Sequence, residues 1–274
     1  MADEFGARAE IEFAAGELVR LLQRHLPGLV DSLHIVGSAA DGDFRRGHSD
    51  LDFVAVLSRP ATSDDLEALT IVHRLYASDL TFPPLDGIWV TATELAAGPD
   101  AAADGPTTQD GNLVEQARGN RNPITWLALR QPPLTVLGEP PDPTTLWLDP
   151  GRVASWTCEN VESYWAGWLQ RTTNLFSRGG LTMLGRRGPV WGVLGISRLH
   201  YTLATGRLAS KSAAGEYALS AFDQRWQRIV RECIRIRRGE GGRRYANPLA
   251  RRRDALAFVA MVIADIRERY CASE

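Results

Sequence analysis

From residue 8 to residue 25 apolar positions recur at helical spacing, with Ile11, Phe13, Ala14, Leu18, Leu21 and Leu22 on one side, which predicts an amphipathic helix. The period then changes. Leu33 to Val36 is a short apolar run ending in Gly37-Ser38, a strand followed by a strand-to-helix turn. Leu51 to Leu57, rich in branched residues, predicts a second strand and is far too short to span a bilayer. Helical spacing returns over Ser63 to Ala77, with Ser63 as the expected N-cap and Asp64 and Asp65 in the first turn. Asp86 to Thr91 predicts a third strand, entered through the breaker Pro83-Pro84. Residues 97 to 122, rich in Gly, Asp, Pro and Thr, predict a loop or linker, and Ile124 to Leu137 a further helix and strand.

After EPPDPTT (139–145) only the helical period remains. Five stretches carry it: 156–176, 190–205, 212–222, 225–236 and 252–270. Successive helices without strands imply a bundle. The expected fold class is therefore α+β: a mixed sheet with helices over residues 1–149, then an all-helical domain over 150–274.

Composition changes this picture little. With 44% hydrophobic and 23% charged residues the chain is ordinary for a globular protein. Its first residues are acidic and helical in pattern, without the basic start and apolar core of a signal peptide, so a cytoplasmic location is expected. Cys158, Cys233 and Cys271 lack metal-ligand spacing and are odd in number, which predicts free thiols. The formal net charge is −2, but Arg225 to Arg253 is Arg-rich. Such a stretch can meet an anion; without aromatic interleaving or a nucleic-acid module it reads as a solvated helical face, and nucleic acid is not expected as a partner. Nothing in the sequence calls for an oligomer, and a monomer is expected.

The chemistry concentrates in HIVGSAADGDFRRGHSDLDFVAV, residues 34 to 56. Asp50 and Asp52 are two apart at the start of a strand, so their side chains share a side while Leu51 faces the core. Two adjacent carboxylates repel unless a cation neutralises them, and an oxygen-only donor set favours Mg²⁺, which keeps waters and phosphates in its shell. At the end of the preceding strand, Gly37-Ser38 lets backbone N–H groups approach a phosphate closely.

Taken together, Gly37-Ser38 and Ser49-Asp50-Leu51-Asp52 resemble the G-S-x(n)-[DE]-x-[DE] signature of polymerase-beta-type nucleotidyltransferases. The resemblance implies a metal held by Asp50 and Asp52, with Gly37, Ser38 and Ser49 on the nucleotide side. A third carboxylate follows in that superfamily, and Asp86 stands at the right place, as general base or third metal ligand; Glu94 is the alternative base. Further on, Arg198, Tyr201, Thr202, Thr205, Gly206, Arg207 and Lys211 match the Arg-x-x-Tyr-Thr-x-x-Thr-Gly-[KR]-x-x-x-Lys pattern of the streptomycin/spectinomycin adenylyltransferases. TVLGEPP (135–141) belongs to the same resemblance, which implies that Arg198 and Lys211 contact ATP phosphates.

The implied reaction is Mg²⁺-dependent transfer of AMP from ATP to a hydroxyl of an aminocyclitol or aminoglycoside, releasing pyrophosphate. Two departures point to spectinomycin more than to streptomycin. Gly188 stands where dual-specificity members place an Asp, and residues 97–122 hold no Trp. Asp86 also replaces the usual Glu base. Open alternatives are a nucleotidyltransferase acting on another metabolite, a protein or an RNA end, as in toxin–antitoxin systems, and a degenerate nucleotide sensor.

Overall fold

The computed structural model describes residues 2–271. The chain divides into two compact units, Met1–Leu148 and Asp149–Glu274.

In the first unit a mixed six-stranded sheet runs in the order β5-β4-β3-β2-β1-β6. Its strands are β1 (Val30–Ile35), β2 (Leu51–Leu57), β3 (Leu85–Thr91), β4 (Gly105–Gln109), β5 (Asn112–Ala117) and β6 (Leu134–Leu137). Only β2 and β3 are parallel; the other neighbours pair antiparallel. Side-chain alternation on β2 divides the core between two faces. Leu51, Phe53, Ala55 and Leu57 pack with the apolar stripes of α1 (Ala2–His25) and α3 (Ser63–Ala77). Val54 and Val56 point the other way, joining Ile88, Val90, Leu95, Trp126 and Leu129 beneath α4 (Ala92–Ala97) and α5 (Pro123–Arg130). Phe13 lies off the buried stripe of α1 and is exposed, its ring 5.5 Å from Phe82.

Two expectations change here. The N-cap of α3 is Thr62, not Ser63: the Thr62 side chain accepts from the Asp65 N–H, and Asp65 accepts from the Thr62 N–H. Residues 97–122 are not a plain loop but contain the β4–β5 hairpin, turned by Asp110-Gly111 with Gln109 opposite Asn112. Asp110 takes a left-handed φ of 48°, which the two-residue Asp-Gly hairpin turn requires. The Thr-rich β4 and the polar edge strand β5 lack the apolar alternation that would have announced them.

Among its described residues the second unit is entirely helical. It comprises α6 (Pro150–Asn160), a π-helical turn (Val161–Trp165), α7 (Ala166–Thr173), α8 (Arg178–Thr182), α9 (Arg187–Thr205), α10 (Lys211–Ala221), a 3₁₀ turn (Gln224–Trp226), α11 (Gln227–Arg237) and α12 (Pro248–Arg269). Val161, Trp165, Leu194, Ile196, Val230, Phe258, Val259 and Val262 form its core. The free-thiol expectation fails for two of the three cysteines. Cys158 on α6 is disulfide-bonded to Cys271 just past α12, across 113 residues of sequence, while Cys233 is buried and free. Spacing along the chain cannot show that helix packing brings those two sulfurs together.

The Arg-rich stretch is spent largely inside its own unit. Arg235 pairs with buried Glu232 at 2.9 Å, and Arg251 donates to the Leu184 and Gly185 carbonyls. Arg252 donates to the Thr172 and Thr173 carbonyls, and Arg228 lies over the Tyr245 ring. None of the helices is long and apolar enough to cross a membrane among the described residues.

Candidate active site

The parallel register of β2 and β3 sets Asp52 directly opposite Asp86, then Phe53 opposite Gly87 and Val54 opposite Ile88. Neighbouring strands lie about 4.8 Å apart, so the two carboxylates are immediate neighbours. Both sit on the face that carries Val54, Val56, Ile88 and Val90, at the strand starts where that apolar cover ends. Each is half-buried, whereas Asp50, just before β2, is exposed.

The Gly-Ser turn meets the acidic pair. The Val36 N–H donates to the Asp52 carbonyl at 2.9 Å, which brings the end of β1 against the start of β2. Gly37 follows at φ 63°, and a Cβ there would stand 2.5 Å from Asp52 Oδ2. Both the left-handed backbone and the nearby carboxylate therefore demand glycine at this position. Ser38 continues into the one-turn helix α2 (Gly37–Ala40). Ser49 is buried, and its Oγ accepts from the Arg45 N–H at 3.0 Å, so it holds the loop leading into β2.

Electrostatics single out Asp86. Burial, reinforced by the negative charges of Asp50 and Asp110, pushes its pKa up to about 6, against the opposing hydrogen bond from Asn120. A carboxyl poised near neutrality suits a general base. The same crowding of acidic oxygens fits Mg²⁺, which would relieve the repulsion. No group of three or more Asp, Glu, His or Cys side chains among the described residues closes a metal cluster by itself. A donor set of two carboxylates, completed by water and phosphate oxygens, is the form that Mg²⁺ commonly takes.

Glu94, the alternative base, is committed elsewhere. It accepts from the Thr91 N–H and hydroxyl in the capping box of α4 and lies 3.7 Å from Arg121. Asn120 and Arg121 escape sequence reasoning altogether. Asn120 Nδ2 donates to Asp86 Oδ1 at 2.6 Å, and Arg121 is fully buried one residue on. No local motif marks either residue.

In the second unit, Arg198 on α9 donates from Nε to the Ala209 carbonyl at 3.0 Å, two residues before Lys211 opens α10. That bond ties α9 to the segment leading into α10, and Gly206 ends α9 in the left-handed conformation. Lys211 Nζ stands 4.8 Å over the ring of Trp191, an exposed aromatic whose Nε1 donates to the Tyr164 hydroxyl. Gly188 leaves no room for a side chain: a Cβ would lie 2.6 Å from the Thr182 carbonyl oxygen.

Comparison with known proteins follows this division. The family model for the nucleotidyltransferase domain matches residues 16–86, from α1 to Asp86. The model for the aminoglycoside adenylyltransferase C-terminal domain matches residues 177–264, which include Arg198 and Lys211. Among solved structures, spectinomycin adenyltransferase AAD(9) from Enterococcus faecialis, determined with ATP and spectinomycin, aligns over 90% of this chain and 98% of its own. Its TM-score is 0.60 at 15% identity, a likeness of fold. No curated protein matches the sequence significantly. With both domains present in this order, each over the residues that form its candidate site, the chain belongs to the nucleotidyltransferases of the aminoglycoside adenylyltransferase type.

Proposed function

We propose that this enzyme transfers AMP from ATP to a hydroxyl of an aminocyclitol, spectinomycin-like rather than streptomycin-like, and thereby confers resistance to it. The observation that carries the reading is the register of Asp52 against Asp86, with Gly37 packed on Asp52. Asp50 and Asp52 would hold Mg²⁺. When bound, the ion supplies charge neutralisation at the phosphates. The backbone of Gly37 and Ser38 approaches the phosphates, and Arg198 and Lys211 balance their charge. Asp86 takes the proton of the acceptor hydroxyl as its oxygen attacks the α-phosphorus. The bond between the α-phosphorus and the bridging oxygen breaks, and pyrophosphate leaves.

The acceptor class rests on two supports. The structural neighbour was solved with ATP and spectinomycin. In addition, Gly188 excludes any side chain at the position that dual-specificity relatives use toward streptomycin.

Incubation with α-labelled ATP, Mg²⁺ and a panel of aminocyclitols tests this directly. Labelled spectinomycin with release of pyrophosphate is the expected product. Label on the protein or on added RNA, with none on any drug, would overturn the acceptor class in favour of macromolecular nucleotidyl transfer.

A further inference from the structure

A residue hydrogen-bonded to Asp86 belongs to neither matched segment. Asn120 lies between β5 and α5, 34 residues beyond Asp86, yet its Nδ2 donates to Asp86 Oδ1 at 2.6 Å. We propose that Asn120 is a positioning residue for the reaction: its amide fixes one oxygen of the Asp86 carboxylate and leaves the other for the acceptor hydroxyl. This rests on the assignment of Asp86 as the base.

The loop is built to aim that amide. Gly119 supplies a left-handed φ of 42° immediately before it, where a side chain would strike Thr107. The Asn120 carbonyl accepts from the Thr125 hydroxyl at 2.6 Å and from the Asn122 N–H at 2.9 Å. Next comes Arg121, whose guanidinium is fully buried and donates to the carbonyls of Ala102, Trp89 and Pro106. A buried cation is costly unless paired and hydrogen-bonded, and here those bonds, with Glu94 at 3.7 Å, staple the loop to the ends of β3 and β4. The left-handed glycine and the staple flank one residue, and the side chain presented there is Asn120.

Side-chain chemistry at 120 matters as well. A cation there would form an ion pair with Asp86 and hold it firmly ionised, a poor base. An amide orients the carboxylate without neutralising it. Asn also brings a donor that an isosteric Asp lacks, and the test turns on this difference.

Steady-state kinetics with Mg-ATP and spectinomycin would compare Asn120→Ala, Asn120→Asp, Asp86→Asn and the double variant Asn120→Ala/Asp86→Asn. Asn120→Asp keeps the shape, removes the donor and sets a like charge beside Asp86. Positioning predicts that both single Asn120 variants lose about 10- to 100-fold in kcat with KM for ATP unchanged. It also predicts that Asn120→Asp is no better than Asn120→Ala and that the double variant is no slower than Asp86→Asn. Near-normal turnover in Asn120→Asp would mean that only shape matters and would overturn the proposal. So would normal turnover in Asn120→Ala beside an inactive Asp86→Asn. An active Asp86→Asn would instead remove the base assignment, and the positioning role with it. A crystal structure of Asn120→Ala provides a readout that needs no acceptor: a rotated Asp86 carboxyl is expected, and an unmoved one overturns the proposal.

Discussion

The two units of this chain assemble charge by opposite means. In the first, Asp52 and Asp86 face one another because two parallel strands share a register, and the backbone leaves them little freedom. In the second, Arg198 and Lys211 are long side chains on separate helices, one donating to a backbone carbonyl and the other standing over an aromatic ring. Rigid strands suit the atoms that must lie within a fraction of an ångström of the reacting phosphorus. Flexible cations suit the balancing of phosphate charge, where geometry is more forgiving. On the proposed function, this is a division of labour: the sheet would carry the rate and the helices affinity for the nucleotide.

The largest expected effect breaks the first half of that contrast. Asp50→Asn or Asp52→Asn should lose several kcal/mol of transition-state stabilisation, about 10³-fold or more in rate, with the fold intact by circular dichroism. Near-normal turnover in either variant contradicts the strand-edge assignment. Next in size is the disulfide, which belongs to the scaffold of the helical unit and to neither site. Cys271→Ser should cost about 2–5 kcal/mol in denaturant unfolding relative to the oxidised protein, because the bridge closes a long loop, while kcat stays unchanged. An unchanged denaturation midpoint would contradict this.

The second half of the comparison is tested by Arg198→Ala and Lys211→Ala. Each removes a charge-assisted hydrogen bond worth about 1.5–3 kcal/mol, so ATP should bind about ten- to a hundredfold more weakly by calorimetry. If both bind ATP normally, the helical cations serve another purpose.

The smallest effect concerns stability. Burial raises the folded pKa of Asp86 above its ordinary value of 3.8, to about 6. Its charge therefore costs nothing below about pH 4 and its full penalty above about pH 6. Asp86→Asn should melt about 2–4 °C higher than the wild type at neutral pH without metal, and the gain should vanish at acid pH. A variant that melts lower at neutral pH would show that the carboxylate stabilises its site.

Particular residues show how much of this was legible in the sequence. Alternation along Leu51 to Leu57 fixed which face Asp52 takes, and the five helical stretches after residue 150 announced a strandless unit. Thr91-x-x-Glu94 and Thr62-x-x-Asp65 carry the capping-box pattern, so the commitment of Glu94 to a helix end was readable in advance. Asp110-Gly111 is likewise a readable hairpin turn between strands too polar to notice. Beyond reach were Asn120 against Asp86, Arg121 inside its cage of carbonyls, and Cys158 against Cys271. Each depends on chain segments far apart in sequence meeting in the fold, and no period or local motif encodes such a meeting.

The division of labour is tested most directly by measuring one variant in two ways. Asp86→Asn should bind Mg-ATP with unchanged affinity by calorimetry and lose on the order of 10²–10⁴ in kcat, because removing a general base slows proton transfer without touching the phosphates. A variant that loses ATP affinity in step with turnover, or that turns over normally, would contradict the account.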